Sequence, residues 1–94
     1  MVVKNKKVGT KGMFYVENDK TIQAKMVYTM PTPGKMIIEH TEVNDELKGQ
    51  KVGFQLVKTS VDFARANDIK IIPLCPFANS VFKRKPEFAD VLAK

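Results

Sequence analysis

The hexapeptide Lys48-Gly49-Gln50-Lys51-Val52-Gly53 constrains this chain more than any other segment. Before it lies an apolar run, Ile37 to Val43, that reads as a strand. After it comes an amphipathic pattern that reads as a helix. A strand, a glycine-containing loop and a helix N-terminus in that order form an anion cradle. The loop N–H groups converge, and the helix dipole adds about half a positive charge at its start. Glycine allows close backbone approach and φ > 0 at little steric cost. The competing reading is a plain strand-to-helix connection whose glycines only make the turn.

The rest of the chain arranges itself around that loop. Residues 1–11 are basic and patternless and are expected to be a loose lead-in. Residues 12–16 (GMFYV) form a short aromatic strand, and Glu17-Asn18-Asp19-Lys20 a turn. Residues 21–30 alternate, with Ile22, Ala24, Met26, Tyr28 and Met30 on one side, as expected of a half-buried antiparallel strand. Pro33-Gly34 suits the middle of a type II turn. Residues 35–43 complete a three-stranded meander. A helix over about 50–67 carries the stripe Gly53, Leu56, Val57, Ser60, Val61, Ala64, with Lys58 and Asp62 spaced to pair. Residues 69–74 (IKIIPL) form a fourth strand, and the single helical crossover makes strands three and four parallel neighbours. Pro73 should part this strand from its neighbour. Cys75-Pro76 opens a second helix, to about Arg84, ended by Lys85-Pro86. Residues 88–92 are a short strand or helical turn against the sheet.

Ninety-four residues make one small domain, 1–94, of ordinary globular composition with a modest core. The net charge of +6 suits an anionic ligand, coenzyme A or nucleic acid, but the lysines are scattered, which disfavours nucleic acid. One cysteine excludes an internal disulfide and fits a reducing compartment. With no signal-peptide core and no membrane-length apolar run, a cytoplasmic protein is expected. No metal-ligand cluster is legible.

The loop carries a resemblance as well. Residues 47–57, LKGQKVGFQLV, are similar to motif A of the GNAT superfamily of acetyl-CoA-dependent N-acetyltransferases, Arg/Gln-x-x-Gly-x-Gly/Ala, which binds the pyrophosphate of coenzyme A. Glu39-His40-Thr41-Glu42-Val43 and Pro73-Leu74-Cys75-Pro76-Phe77-Ala78 resemble a subfamily of very short, single-domain members. The likeness spans roughly residues 13–92. Lys51 stands where the family has its central glycine, and Lys48 where it has Arg or Gln. The resemblance implies an α+β, minimal GNAT-like fold, with a mostly antiparallel sheet, a splayed parallel strand pair and two helices. It implies acetyl-CoA as cofactor, with Lys48, Gly49, Gln50, Lys51, Val52, Gly53 and Phe54 at the pyrophosphate. Thr41, Glu42 and Val43 would border the pantetheine arm between the splayed strands.

Cys75 is the sharpest single residue. As N-cap of the second helix its thiol would meet unpaired N–H groups and the positive end of a dipole, both favouring thiolate. The alternative is an inert buried cysteine. His40 is the only histidine. Strict alternation places it with Met36, Ile38 and Glu42 and puts Glu39 and Thr41 opposite, so it could act as a base toward an amine or Cys75. The alternative is a core histidine. Lys48, Lys51 and Lys83 are candidate phosphate contacts. Asn79 matches an asparagine that the family often carries near the start of this helix. Phe82 falls where the family has a tyrosine acid and has no proton to give, so it should line the pantetheine arm or fill the core.

Three functions follow in order: an acetyltransferase acting on an unknown amine, a non-catalytic coenzyme-A-binding regulatory module, and a small basic nucleic-acid-binding domain. The acceptor and the oligomeric state are left open.

Overall fold

The computed structural model describes residues 2–93. Five strands form one sheet in sequence order: β1 (Lys4–Val8), β2 (Lys11–Asn18), β3 (Thr21–Thr32), β4 (Lys35–Val43) and β5 (Lys70–Pro73). The first four are antiparallel, and β4 and β5 are parallel. Helix α1 (Val52–Asn67) makes the crossover, and α2 (Pro76–Arg84) follows β5. Two 3-10 helices, Asp45–Leu47 and Pro86–Val91, complete the chain.

The sheet has one more strand than expected, because residues 4–8 of the lead-in pair with β2. Met1, also in that lead-in, lies outside the described residues. KNKKV has no apolar alternation; its place is set by the Gly9 turn (φ 62°) and by Asn5, whose side chain accepts a 2.7 Å hydrogen bond from the buried Tyr28 hydroxyl. Tyr28 can reach Asn5 because Gly12 lies in between, where an added Cβ would sit 2.5 Å from the Tyr28 ring. The β2–β3 turn places Asp19 and Lys20 both at positive φ, as a two-residue type I′ hairpin requires. The Pro33-Gly34 turn is not type II. Among glycines only Gly9 and Gly49 have positive φ, and a type II turn needs one at Gly34.

Both helices and the Pro86–Val91 turn pack on one face of the sheet. Phe14, Met26, Tyr28, Met36, Ile38 and Ile71 supply that face. They meet a buried stripe on α1 of Val52, Leu56, Val57, Ser60, Val61 and Ala64; the helical spacing anticipated all of these but Val52, and Gly53, also expected there, is only half-buried. Each large apolar side chain buried this way contributes roughly 1.5–3 kcal/mol. Ser60 satisfies its hydroxyl on the Val57 carbonyl at 2.6 Å. Lys58 and Asp62 pair at 3.2 Å on the wet side. Asp68, left-handed, ends α1. The Ala93 N–H bonds the Ile71 carbonyl and so covers the outer edge of β5. Among the described residues no helix covers the opposite face of the sheet.

Candidate functional site

The site begins where β5 leaves β4. Residues 35–38 of β4 pair with residues 70–73 of β5, and the Cys75 N–H closes the fork with a 3.0 Å bond to the Ile38 carbonyl. Beyond it β4 runs on to Val43, paired only with β3. Pro73, which has no N–H to donate, stands at the parting as its sequence position suggested.

A groove of about 720 Å³ opens from this fork toward the start of α1. Thr41 and Val43 of β4 line one wall, and Phe77, Val81, Arg84 and Lys85 of α2 and its end line the other. Its far end is the loop, with Leu47, Lys48, Gly49 and Lys51, followed by Val52, Gly53 and Phe54. Gly49 (φ 86°) and Lys51 (φ 59°, ψ 30°) are both left-handed, which turns the chain into the helix. For a residue with a Cβ that conformation costs roughly 1–2 kcal/mol. The N–H groups of Val52, Gly53 and Phe54 have no acceptor among the described residues, and the first turn of α1 carries no acidic side chain. Three open donors at the positive end of a 16-residue helix can hold a negatively charged hydrogen-bond acceptor, as helix N-termini do for anions in general. Gly53 is needed for a different reason than phosphate approach. Phe77 packs on it so closely that an added Cβ would meet the ring at 2.7 Å.

The charged residues divide in an order that the sequence did not reveal. Lys48 is held by Asp45 at 2.8 Å, and this hydrogen bond raises the lysine and lowers the carboxyl from their ordinary values. Lys83 is exposed and off the groove. Arg84 and Lys85, which sequence reasoning missed, line it instead. Lys85 also stacks its ammonium 5.5 Å from the Phe54 ring. Lys51, Arg84 and Lys85 make no ion pair among the described residues. The available signal was the basic last turn of a short helix following the fork strand.

Cys75 is the N-cap of α2, but its side chain makes no capping bond. It is 5% exposed, and its thiol donates to the Thr41 hydroxyl at 3.4 Å. The expected thiol-to-amide contact is therefore replaced by a thiol-to-hydroxyl contact one side chain behind the groove.

The placement of His40 corrects the strict alternation. Tyr28 opposes Ile38 while Val27 opposes His40, so Glu39 is an extra residue in a β-bulge. A bulge shifts every later side chain to the other face. Thr41 and Val43 thus join Met36 and Ile38 on the helix side, and His40 and Glu42 turn to the uncovered side. His40 and Cys75 do not share a face. There the His40 side chain is 57% exposed and contacts Glu42 at 2.9 Å. That hydrogen bond, then the charge of Lys25, lowers the Glu42 carboxyl below its ordinary value. Glu42 therefore does not line the groove beside Thr41 and Val43.

Other expected contacts also fall elsewhere. Gln50 points its amide at the Glu46 carbonyl (3.3 Å), and Asn79 points to the Pro73 carbonyl (3.4 Å). Phe82 is 4% exposed and meets Phe88 edge-on at 6.2 Å, so it fills the core and not the groove.

The fold is shared with known proteins. The family described as GCN5-related N-acetyl-transferase matches residues 13–91. The solution structure of a GCN5-like protein from Staphylococcus aureus is 32% identical, with a TM-score of 0.71 over 96% of this chain and 87% of that one. Two further structures share the fold at lower identity. A ribosomal-protein-alanine N-acetyltransferase from Brucella melitensis has a TM-score of 0.65 at 13% identity, over 90% of this chain and 64% of that one. A GNAT family acetyltransferase from Elizabethkingia anophelis with acetyl-CoA bound has 0.61 at 15%, over 82% and 53%. No curated protein sequence matches. The chain belongs to the GCN5-related N-acetyltransferase family, and that membership supports an acetyltransferase function.

Among the described residues no helix is long and apolar enough to cross a membrane.

Proposed function

We propose that this chain binds acetyl-CoA in the groove and transfers the acetyl group to an amine. The observation that carries the reading is the fork. A strand whose second half lacks a partner on one side leads into a groove ending at three open amide donors. In this reading the pyrophosphate sits on residues 48–53 and the start of α1. The pantetheine arm follows the unpaired edge of β4, past Val43 and Thr41. The thioester then reaches the parting of the strands, and the amine approaches from the uncovered face.

In this reading His40, with Glu42 2.9 Å away on that face, takes the proton from an ammonium and leaves the neutral amine that attacks. The attack forms the C–N bond and breaks the C–S bond, releasing coenzyme A thiolate, and the second nitrogen proton leaves to solvent. Phe82 cannot protonate the thiolate, so we assign that proton to the Cys75 thiol by way of the Thr41 hydroxyl, with Cys75 regaining a proton from solvent. Acetyl-CoA bound to a relative of the same fold supports the choice of donor. The single cysteine supports a reducing, cytoplasmic setting. The lack of a groove-lining hydroxyl at Phe82 favours one second reading, a coenzyme-A-binding module without catalysis.

Calorimetric titration tests the donor. Saturable one-to-one binding of acetyl-CoA is expected, and no heat at millimolar ligand would refute the proposal. Release of free thiol when an amine panel is added separates enzyme from binder.

A further inference from the structure

Among the described residues four large apolar side chains stand exposed: Val2, Val8, Leu74 and Phe77. Val8 ends the edge strand β1, Val2 lies just before it, and Phe77 lines the groove. Leu74, 66% exposed, belongs to neither place. It stands at the parting of the strands, after Pro73, and lines no part of the groove. The bond from the Cys75 N–H to the Ile38 carbonyl holds it beside the bulge that carries His40. Met36, Ile38 and Ile71 are buried under the helices, so Ile37 and its partner Ile72 face the uncovered side, where both are half-buried. Two residues beyond Ile72 comes Leu74, at the end of this apolar row. The charges on the same face are already matched. Glu17 pairs with Lys4, Glu39 with Lys11 and Glu42 with Lys25, at 3.1, 2.7 and 3.6 Å. Lys6, stacked on the Tyr15 ring, makes no ion pair among the described residues and leaves the face with a surplus of cation.

We infer that the acceptor is a small monoamine with an apolar body, and that Leu74 is a specificity residue for it. This rests on the acetyltransferase reading and names the acceptor class for the same site. The nitrogen lies at His40, and the carbon body lies on Ile37, Ile72 and Leu74. There it gains by covering apolar surface that otherwise meets water. A second ammonium on the acceptor finds no free carboxylate on this face and meets the surplus of lysine instead. Charge therefore disfavours a polyamine or a lysine-rich chain. As the C–S bond breaks, the nitrogen forms its C–N bond and gives up two protons, one to His40 and one to solvent.

The test follows release of coenzyme A thiol from acetyl-CoA with hexylamine, phenethylamine, spermidine or a lysine-rich peptide as acceptor. It compares the unaltered protein with Leu74→Ser and Leu74→Met. For the unaltered protein kcat/KM should be about tenfold or more higher with the two apolar amines than with spermidine or the peptide. Rising salt should improve spermidine more than phenethylamine, because screening relieves repulsion in proportion to charge. Leu74→Ser should raise the KM for phenethylamine by about five- to tenfold with kcat little changed, as for loss of one apolar contact. Leu74→Met should keep the unaltered KM. The acetyl-CoA affinity and urea-unfolding stability of Leu74→Ser should match those of the unaltered protein, as expected of an exposed site. Preference for spermidine or the peptide, or an unchanged KM in Leu74→Ser, overturns the inference and leaves the acetyltransferase reading standing. Acetyl-CoA binding with no transfer to any amine overturns both.

Discussion

The two halves of β4 differ more than their sequence suggests. Residues 35–38 are laddered on both sides, and Met36 and Ile38 are fully buried. Residues 39–43 are laddered only to β3, and their side chains are half-buried or exposed. The first half joins two strands; the second lines the groove through Thr41 and Val43. Two local features separate them: a proline where the neighbouring strand ends, and one extra residue at Glu39. The bulge puts Thr41 on the groove side and His40 on the open side, so one short segment presents side chains to both faces of the sheet.

The first half should therefore respond to mutation through stability and the second through activity. Ile38→Ala should have the largest effect, a loss of about 2–5 kcal/mol in urea unfolding, as for other large core truncations. His40→Gln should change stability by under about 0.5 kcal/mol, as exposed sites do. Its kcat/KM should drop about a hundredfold or more if His40 is the base. A stability loss as large as that of Ile38→Ala would erase the contrast. Gly53→Asp sits at the far end of the groove. It should displace Phe77 and place a negative charge beside the open amides, weakening acetyl-CoA by about tenfold or more. Titration of the folded variant checks this.

The smallest effect concerns Glu42. Its folded carboxyl is lowered first by the His40 hydrogen bond. A lowered group adds stability above its ordinary pKa and loses it as pH falls through the folded value. Thermal melts of Glu42→Gln and the unaltered protein should differ slightly near neutrality and converge in acid. A difference that grows in acid would contradict the assignment.

Much of this was legible in the sequence. The bounds of α2 follow from Cys75-Pro76 at one end and Lys85-Pro86 at the other. The parallel pair follows from a single crossover, and the fork from Pro73. Counting by twos could not reveal the bulge, because the alternation rule presumes that no residue is inserted; this alone misplaced His40, Thr41 and Glu42. Strand β1 was hidden because its pairing depends on a turn and the Asn5–Tyr28 bond, neither of which leaves an apolar pattern. Arg84 and Lys85 were hidden because only the packing of α2 decides which of its basic residues faces the groove. Lys83, their neighbour, lies off the groove for the same reason.

If the unpaired half of β4 and the loop before α1 form one donor site, a bound donor must perturb both together. Backbone NMR during titration with acetyl-CoA addresses it most directly. The largest amide shifts are expected at Thr41, Val43 and residues 48–54, smaller ones at Arg84 and Lys85, and little change in β1 and β2. Saturation that leaves Thr41 and residues 48–54 unmoved, or that shifts β1 and β2 most, would contradict it.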